Sequence, residues 1–354
     1  MAMIDREDDL VTVFGGSGFV GRHVVRALAQ RGWRVRNACR RPDLAGHLQV
    51  LGRTGQIHSV QANLRYPASV MPTLRNARAV VNLVGVLQPR GAQSFEAVHA
   101  FGARAVARAA AEAGIDNVVH VSAIGADADS PSIYARTKAQ AEAAMREAVP
   151  KAVIMRPSVV FGPEDQFFNR FAAMARFLPV LPLIGADTRF QPVFAGDVAE
   201  AVARALDGKA MPGGTYELGG PDVSSFREIV EFVCREAGRR RLLLPLSFGA
   251  GNVLARATEI ATTLSLGLFP AALSTTRDQV ALLRRDNLVS AEAAAAGRTL
   301  EGLGVTPESY RVLTPTYLWR YRRHGQYDRQ RLITTHGTER DRERGVGFQD
   351  TPTA

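Results

Sequence analysis

Tyr134-Ala135-Arg136-Thr137-Lys138 sets a phenol four residues ahead of an ammonium, and Ser122 precedes the tyrosine by twelve residues. On a helix, residues four apart share a face, so the Lys138 ammonium is expected beside the Tyr134 phenol. A nearby cation lowers a phenol's pKa, which would let Tyr134 exchange a proton with a substrate oxygen near neutral pH. Ser122 could hydrogen-bond that same oxygen. The chain has only three lysines (Lys138, Lys151 and Lys209), so a chance Tyr-x-x-x-Lys is expected well under once. Two plainer readings stay open. Lys138 could serve only to hold a cofactor's ribose, or the pair could be an ordinary contact on a helix surface.

A second set of residues says what would lie beside this trio. Val11-Thr12-Val13-Phe14 runs into Gly15-Gly16-Ser17-Gly18-Phe19-Val20-Gly21, after which Val20, Val24, Val25 and Leu28 switch from strand period to helix period. A glycine-rich turn between strand and helix lets backbone N–H groups approach a pyrophosphate, and the helix N-terminus favours its negative charge. Gly15, Gly18, Phe19, Val20 and Gly21 are therefore expected around a dinucleotide. A tight turn of small residues is the bland alternative, and the flanking strand and helix argue against it. About twenty residues on, an NAD-preferring site places an acid to bind the ribose 2′-hydroxyl. This chain has Cys39-Arg40-Arg41 there and no acid before Asp43. A guanidinium attracts a 2′-phosphate and can lie flat on adenine, so NADP(H) is favoured over NAD(H). The alternative is that Arg40 and Arg41 are solvated charges.

These residues need a scaffold, and the pattern supplies one. Strands are expected at 10–14, 34–39, 57–61, 79–84, 117–122 and 151–155, with helices near 19–30, 67–76, 95–113 and 134–148. Strands alternating with helices make βαβ units, hence an α/β, Rossmann-type, doubly wound parallel sheet. Ligands on such sheets sit at the carboxyl ends of the strands, which gathers Gly15, Asn63, Gly85 and Ser122 around one crevice. Residues 1–160 are expected to form this core, with 189–207 returning to it. Residues 161–328 would make a smaller substrate-side lobe and C-terminal arm, and the polar, charged 329–354 a disordered tail.

Composition bounds the rest. The chain has 354 residues, 46% of them hydrophobic, and a net charge of +10 carried almost wholly by arginine. Zinc-finger, RNP-like and basic-zipper patterns are absent, so nucleic acid is not expected as a partner. Cys39 and Cys234 suggest neither a disulfide framework nor a metal site. The short acidic N-terminus does not read as a signal peptide, and no run of about eighteen apolar residues occurs. A cytoplasmic location is expected, since two distant cysteines fit a reducing compartment, with the positive charge open to an anionic membrane surface or an acidic protein. Phe248 to Leu273 reads as a helix apolar nearly all round, hence buried. Tyr317-Leu318-Trp319-Arg320-Tyr321-Arg322-Arg323 suits an interface or headgroup depth; closing the lobe is the plainer role for both segments. Asp197 reads as a helix N-cap, and His23, His99 and His120 as structural or exposed.

Together the three glycines, Ser122 and Tyr134-x-x-x-Lys138 resemble the short-chain dehydrogenase/reductase superfamily. Arg156-Pro157-Ser158-Val159-Val160-Phe161-Gly162-Pro163 and Val193-Phe194-Ala195-Gly196-Asp197-Val198-Ala199 resemble its extended and atypical branches. The resemblance spans residues 9 to 330. It implies Ser122, Tyr134 and Lys138 as the catalytic trio of an NAD(P)H-dependent reductase, dehydrogenase or epimerase. It also implies cofactor contacts at Asn63, Leu64, Val84, Gly85 and Pro157, besides Tyr134 and Lys138. Ala62-Asn63-Leu64 departs from the Asp-Leu of many relatives, and an asparagine amide can still pair with adenine. A narrower resemblance rests on Cys39-Arg40-Arg41-Pro42-Asp43, Asn82-Leu83-Val84-Gly85, Asp286-Asn287-Leu288-Val289-Ser290 and Leu313 to Arg323. Those segments are similar to the nucleotide-binding accessory subunits of respiratory complex I (alpha subcomplex subunit 9) and their bacterial relatives. That likeness implies NADPH held largely as a structural cofactor, partners in complex I or the quinone pathway, and a peripheral place on the inner face of the cytoplasmic membrane.

Overall fold

A computed structural model describes residues 9–87, 91, 93–264 and 275–325. Its centre is a seven-stranded, wholly parallel sheet. The strands of its first half are β1 (Leu10–Phe14), β2 (Arg34–Cys39), β3 (Ile57–Gln61) and β4 (Ala79–Asn82). β5 (Val118–Val121) and β6 (Val153–Pro157) follow, and Thr215–Leu218 adds an edge beyond β6. The spatial order is Thr215–Leu218, β6, β5, β4, β1, β2, β3. The order reverses beside β1, so the carboxyl ends of β1 and β4 part around a crevice.

All of β1, β4 and β5 is buried, as strands covered on both faces must be. α1 (Phe19–Gln30) packs on one face through Val24, Val25 and Leu28, alongside α5 (Ala195–Leu206). α2 (Phe101–Glu112) and α3 (Ile133–Ala148) cover the other through Val106, Ala110 and Met145. A second apolar cluster gathers Phe161, Phe168, Phe171, Leu183, Phe226 and Tyr310 from the later chain, built largely by α4 (Phe168–Phe177) and α6 (Phe226–Glu236).

Several expected elements differ. Residues 67–76 form two short 3-10 turns, Pro67–Ser69 and Met71–Leu74, since Pro72 in the interior lacks the amide a continued helix needs and its ring crowds the preceding turn. The helix expected at 95–113 opens with a π turn, Glu96–Ala100. β4 stops at Asn82, releasing Leu83 to Gly85 into the crevice wall. α7 (Phe248–Leu264) is not buried all round: Ala255 is fully covered, while Val253 is 72% and Ile260 52% exposed. One stripe of it meets the protein, and the other carries Arg256 and Glu259 with those apolar residues. Leu266, Leu268 and Phe269 of that expected helix, and the expected tail 329–354, lie outside the described residues.

Candidate functional site

The glycine turn is shaped by close approach. Gly15 has φ +83°, a backbone region that L side chains rarely adopt. A Cβ on Gly21 would stand 2.2 Å from the Gly15 carbonyl oxygen, so only glycine lets α1 start this near the turn. Gly18 is the N-cap of α1 and offers no side chain to the first amides. Those amides therefore open into a cavity of about 1530 Å³ with no competing cap, a cradle that fits a dinucleotide pyrophosphate.

Gly15, Gly18, Phe19, Val20, Gly21, Arg40, Arg41, Asn63, Leu64, Val84, Gly85, Ser122, Tyr134 and Pro157 all line this one cavity. Lys138 lies behind the lining, 5% exposed. The two arginines diverge. Arg41 is held by Asp43, Nη2 to Oδ2 2.7 Å, whereas Arg40 pairs with no carboxylate among the described residues. The backbone N–H of Arg65 donates to Asn63 Oδ1 at 3.2 Å, which orients the amide group at the cavity wall.

Around the trio the structure adds groups that the motif did not mark. Lys138 Nζ donates to the Val121 carbonyl at 3.2 Å and lies 6.0 Å from the centre of the Tyr134 ring. Ser122 Oγ is buried without a hydrogen-bond partner. The Tyr134 ring stands edge-on to His99, centroids 5.3 Å apart. His99 Nε2 accepts from the Val86 amide at 3.0 Å, so its proton is on Nδ1, 3.1 Å from Thr137 Oγ1. Thr137 in turn donates to the Tyr134 carbonyl at 3.0 Å. This chain of bonds ties the loop after β4 to the first turns of α3. Asp278 accepts from the Ile133 amide at 2.6 Å and from Ser132 Oγ at 3.0 Å, fixing the start of the same helix. Asn287 Oδ1 accepts from Ser158 Oγ at 2.6 Å, pinning the turn after β6.

One expectation is reversed. Burial pushes the Tyr134 phenol up to about 12, and the Asp278 charge adds to it. Burial also draws Lys138 down to about 8, against the pull of Glu142. Desolvation therefore outweighs the cation's effect on the phenol, because the ammonium points at the Val121 carbonyl instead of the hydroxyl. His99 and His120 both fall to about 3, chiefly by burial and then by the Lys138 charge. At neutral pH the site thus holds a protonated phenol and two neutral imidazoles. Asp197 is not the N-cap of α5, which is Phe194; its carboxylate accepts from the Glu308 amide at 2.8 Å and ties down the C-terminal arm.

His120 had a legible signal, since strand alternation puts it on the face of Ser122 two residues later. Asn287 lies in the Asp286–Ser290 segment that carried the narrower resemblance, though that likeness did not mark it as a site residue; Asp278 had no signal, as it reaches the start of α3 from more than a hundred residues away.

The C-terminal arm closes on its own protein. Tyr317 and Leu318 are buried, the Tyr317 hydroxyl donates to Asp165 Oδ2 at 2.8 Å, and Arg322 pairs with Glu236 at 2.8 Å. No described helix is long and apolar enough to cross a membrane, and no described cluster of His, Cys, Asp and Glu could hold a metal.

Comparison with known proteins agrees with this geometry. A family model, NAD dependent epimerase/dehydratase family, matches residues 11–219. The chain is 34% identical over 321 residues to NADH dehydrogenase [ubiquinone] 1 alpha subcomplex subunit 9, mitochondrial, of Arabidopsis thaliana, covering 89% of this chain and 79% of that one. A ceramide reductase of Caulobacter vibrioides is 34% identical over 190 residues, 54% of this chain and 58% of its own. Among solved structures, an NADPH-dependent quinone oxidoreductase from Escherichia coli, complexed with NADPH, superposes with TM-score 0.66 at 18% identity, covering 87% and 99% of the two chains; it shares the fold. The protein is thus an NAD(P)-binding Rossmann-fold chain that belongs to the NAD dependent epimerase/dehydratase family, in the branch that includes the alpha subcomplex subunit 9 proteins.

Proposed function

We propose that this chain holds NADP(H) in the crevice and acts as an accessory or assembly factor beside respiratory complex I or the quinone pathway. The observation that carries the reading is the reach of its likeness to alpha subcomplex subunit 9. That likeness spans 321 residues, far more than a nucleotide-binding core alone requires. Preference for NADP(H) is supported by Arg40, a guanidinium just past β2 that lines the cavity with no carboxylate partner among the described residues, where an NAD site would carry an acid. The experiment is native-gel fractionation of gently solubilised membranes with mass spectrometry of the bands. Comigration with complex I is expected, and recovery of the chain only in the soluble fraction would overturn the association.

A second reading, an active NADP(H)-dependent reductase, is favoured by one specific feature. Ser122 Oγ is a buried, unpartnered hydroxyl on the same cavity as a phenol held in its protonated form. Bound NADPH supplies a hydride from C4 of its nicotinamide. Ser122 would hydrogen-bond a substrate carbonyl oxygen, and Tyr134 would give that oxygen its phenolic proton, leaving an alcohol and a phenolate that recovers a proton from water. The neighbouring Lys138 ammonium would stabilise the phenolate while it exists. The ceramide reductase among the relatives supports a reducing chemistry on this scaffold.

A further inference from the structure

The cavity does not end at Ser122 and Tyr134. It continues between α4, the strand Val180–Ile184 and α7, where Phe167, Phe171, Met174, Leu178, Ile184 and Leu254 form its wall. The polar groups on that side are largely engaged. Asp278 holds the start of α3, Arg285 pairs with Asp127 at 2.8 Å, and Arg170 donates to Thr275 Oγ1 at 3.3 Å. At about 1530 Å³ the whole cavity exceeds the roughly 300–1,000 Å³ of a single-ligand site, so a nucleotide leaves room for a second molecule. α7 turns Leu254 to the cavity, while Val253 and Ile260 face outward beside Arg256 and Glu259.

We propose that the second ligand is an amphiphile with a long apolar chain. Its carbonyl or hydroxyl head sits at Ser122 and Tyr134, and its chain lies along the wall formed by α4 and α7. The inference rests on the nucleotide reading only in giving the glycine-rich half of the cavity to NADP(H). A nucleotide-sugar, the other substrate type suggested by an epimerase-like fold, needs cations and donors turned to the ligand, whereas the arginines on this side are engaged with Thr275, Asp127 and the Phe248 ring and the wall beside them is aromatic and aliphatic carbon. Burial of a chain in such a wall gains affinity with every methylene.

The test is calorimetric titration of the full-length protein, with and without NADPH. The probes are two pairs, 2-tridecanone with 2-butanone and a decyl-substituted dimethoxy-methyl-benzoquinone with its tail-less parent, together with UDP-glucose. In at least one pair the long-chain member should bind about 100-fold tighter or more. The ketone pair alone would point to acyl-type lipids, and the quinone pair alone to quinones. Leu254→Trp, which fills the wall from α7, should weaken the long-chain probe at least about tenfold and leave the NADPH Kd unchanged. Equal affinity within both pairs, or binding of UDP-glucose alone, would overturn the proposal. Failure to bind NADPH would count against the nucleotide reading instead, and the nucleotide-free titrations would still decide the tail dependence.

Discussion

At the scale of single residues, the site is governed by burial acting on charge. Arg40 and Arg41 are adjacent, yet Asp43 occupies only Arg41. Arg40→Ala should therefore weaken NADPH by about tenfold or more, the scale of lost charge-assisted hydrogen bonds, and leave NADH nearly unchanged. Fluorescence titration with both nucleotides reads this directly, and equal losses would remove Arg40 from the 2′-phosphate. Tyr134→Phe keeps the ring against His99 and removes the proton. If the chain reduces a carbonyl, turnover should fall by about 10²–10⁴-fold with nucleotide binding intact. The histidines make a separate prediction. His99 and His120 titrate near 3 in the folded chain against 6.5 when free. The unfolded chain then binds protons that the folded chain refuses, so stability present above 6.5 is lost as pH falls from 6.5 towards 3. Each imidazole contributes a slope of about 1.4 kcal/mol per pH unit in that window. Urea midpoints measured from pH 7 to 5 should fall less steeply in His120→Gln than in the parent. Parallel curves would mean that His120 charges without cost.

Elements act by holding these groups at contact distance. α1 begins where it does because Gly21 carries no Cβ to strike the Gly15 carbonyl. Gly21→Ala should push α1 off the turn, costing about 1–3 kcal/mol or more of stability and most of the nucleotide affinity. Gly46→Ala is the control, since its Cβ would meet nothing within 4 Å. Thermal melts with and without NADPH separate the two, and a Gly21→Ala chain still stabilised by NADPH would refute the cradle. α3 shows a different kind of support. It takes Tyr134 and Lys138 from its own sequence, but its position is set by Asp278 at its start and by His99 through Thr137.

Across the whole molecule, the C-terminal arm takes the plainer of the two roles its sequence left open, closing the lobe. Its aromatic and cationic composition suits an outside partner, but most of it is used inward. Tyr317 reaches Asp165, a carboxyl that is 4% exposed and also accepts from the Phe167 and Asn169 amides. Tyr317→Phe should cost about 1–3 kcal/mol in urea unfolding by stripping one donor from a buried acid. Its NADPH affinity should stay unchanged, because Tyr317 does not line the cavity. No loss of stability would mean that the arm is not anchored and is free for a partner. The outward residues Val253 and Ile260 of α7 remain the exposed apolar surface beside the long cavity.

The sequence alone determined the parallel sheet, the glycine turn and the Ser122, Tyr134 and Lys138 spacing. These rest on local regularities: a two-residue strand period, a 3.6-residue helix period and a turn that only glycine can make. β1, β2, β3 and α1 fall where the pattern put them, because each is specified by its own residues. Pro72 was equally legible as a breaker inside the helix expected at 67–76. Only the tertiary structure decided the pKa order of Tyr134 and Lys138, since desolvation depends on everything packed around a group and not on its neighbours in the chain. The same holds for Asp278, Asn287 and the apolar wall of α4 and α7, which meet the site across long stretches of sequence. Spacing within a helix can be read from a string of residues; what buries that helix has to be folded first.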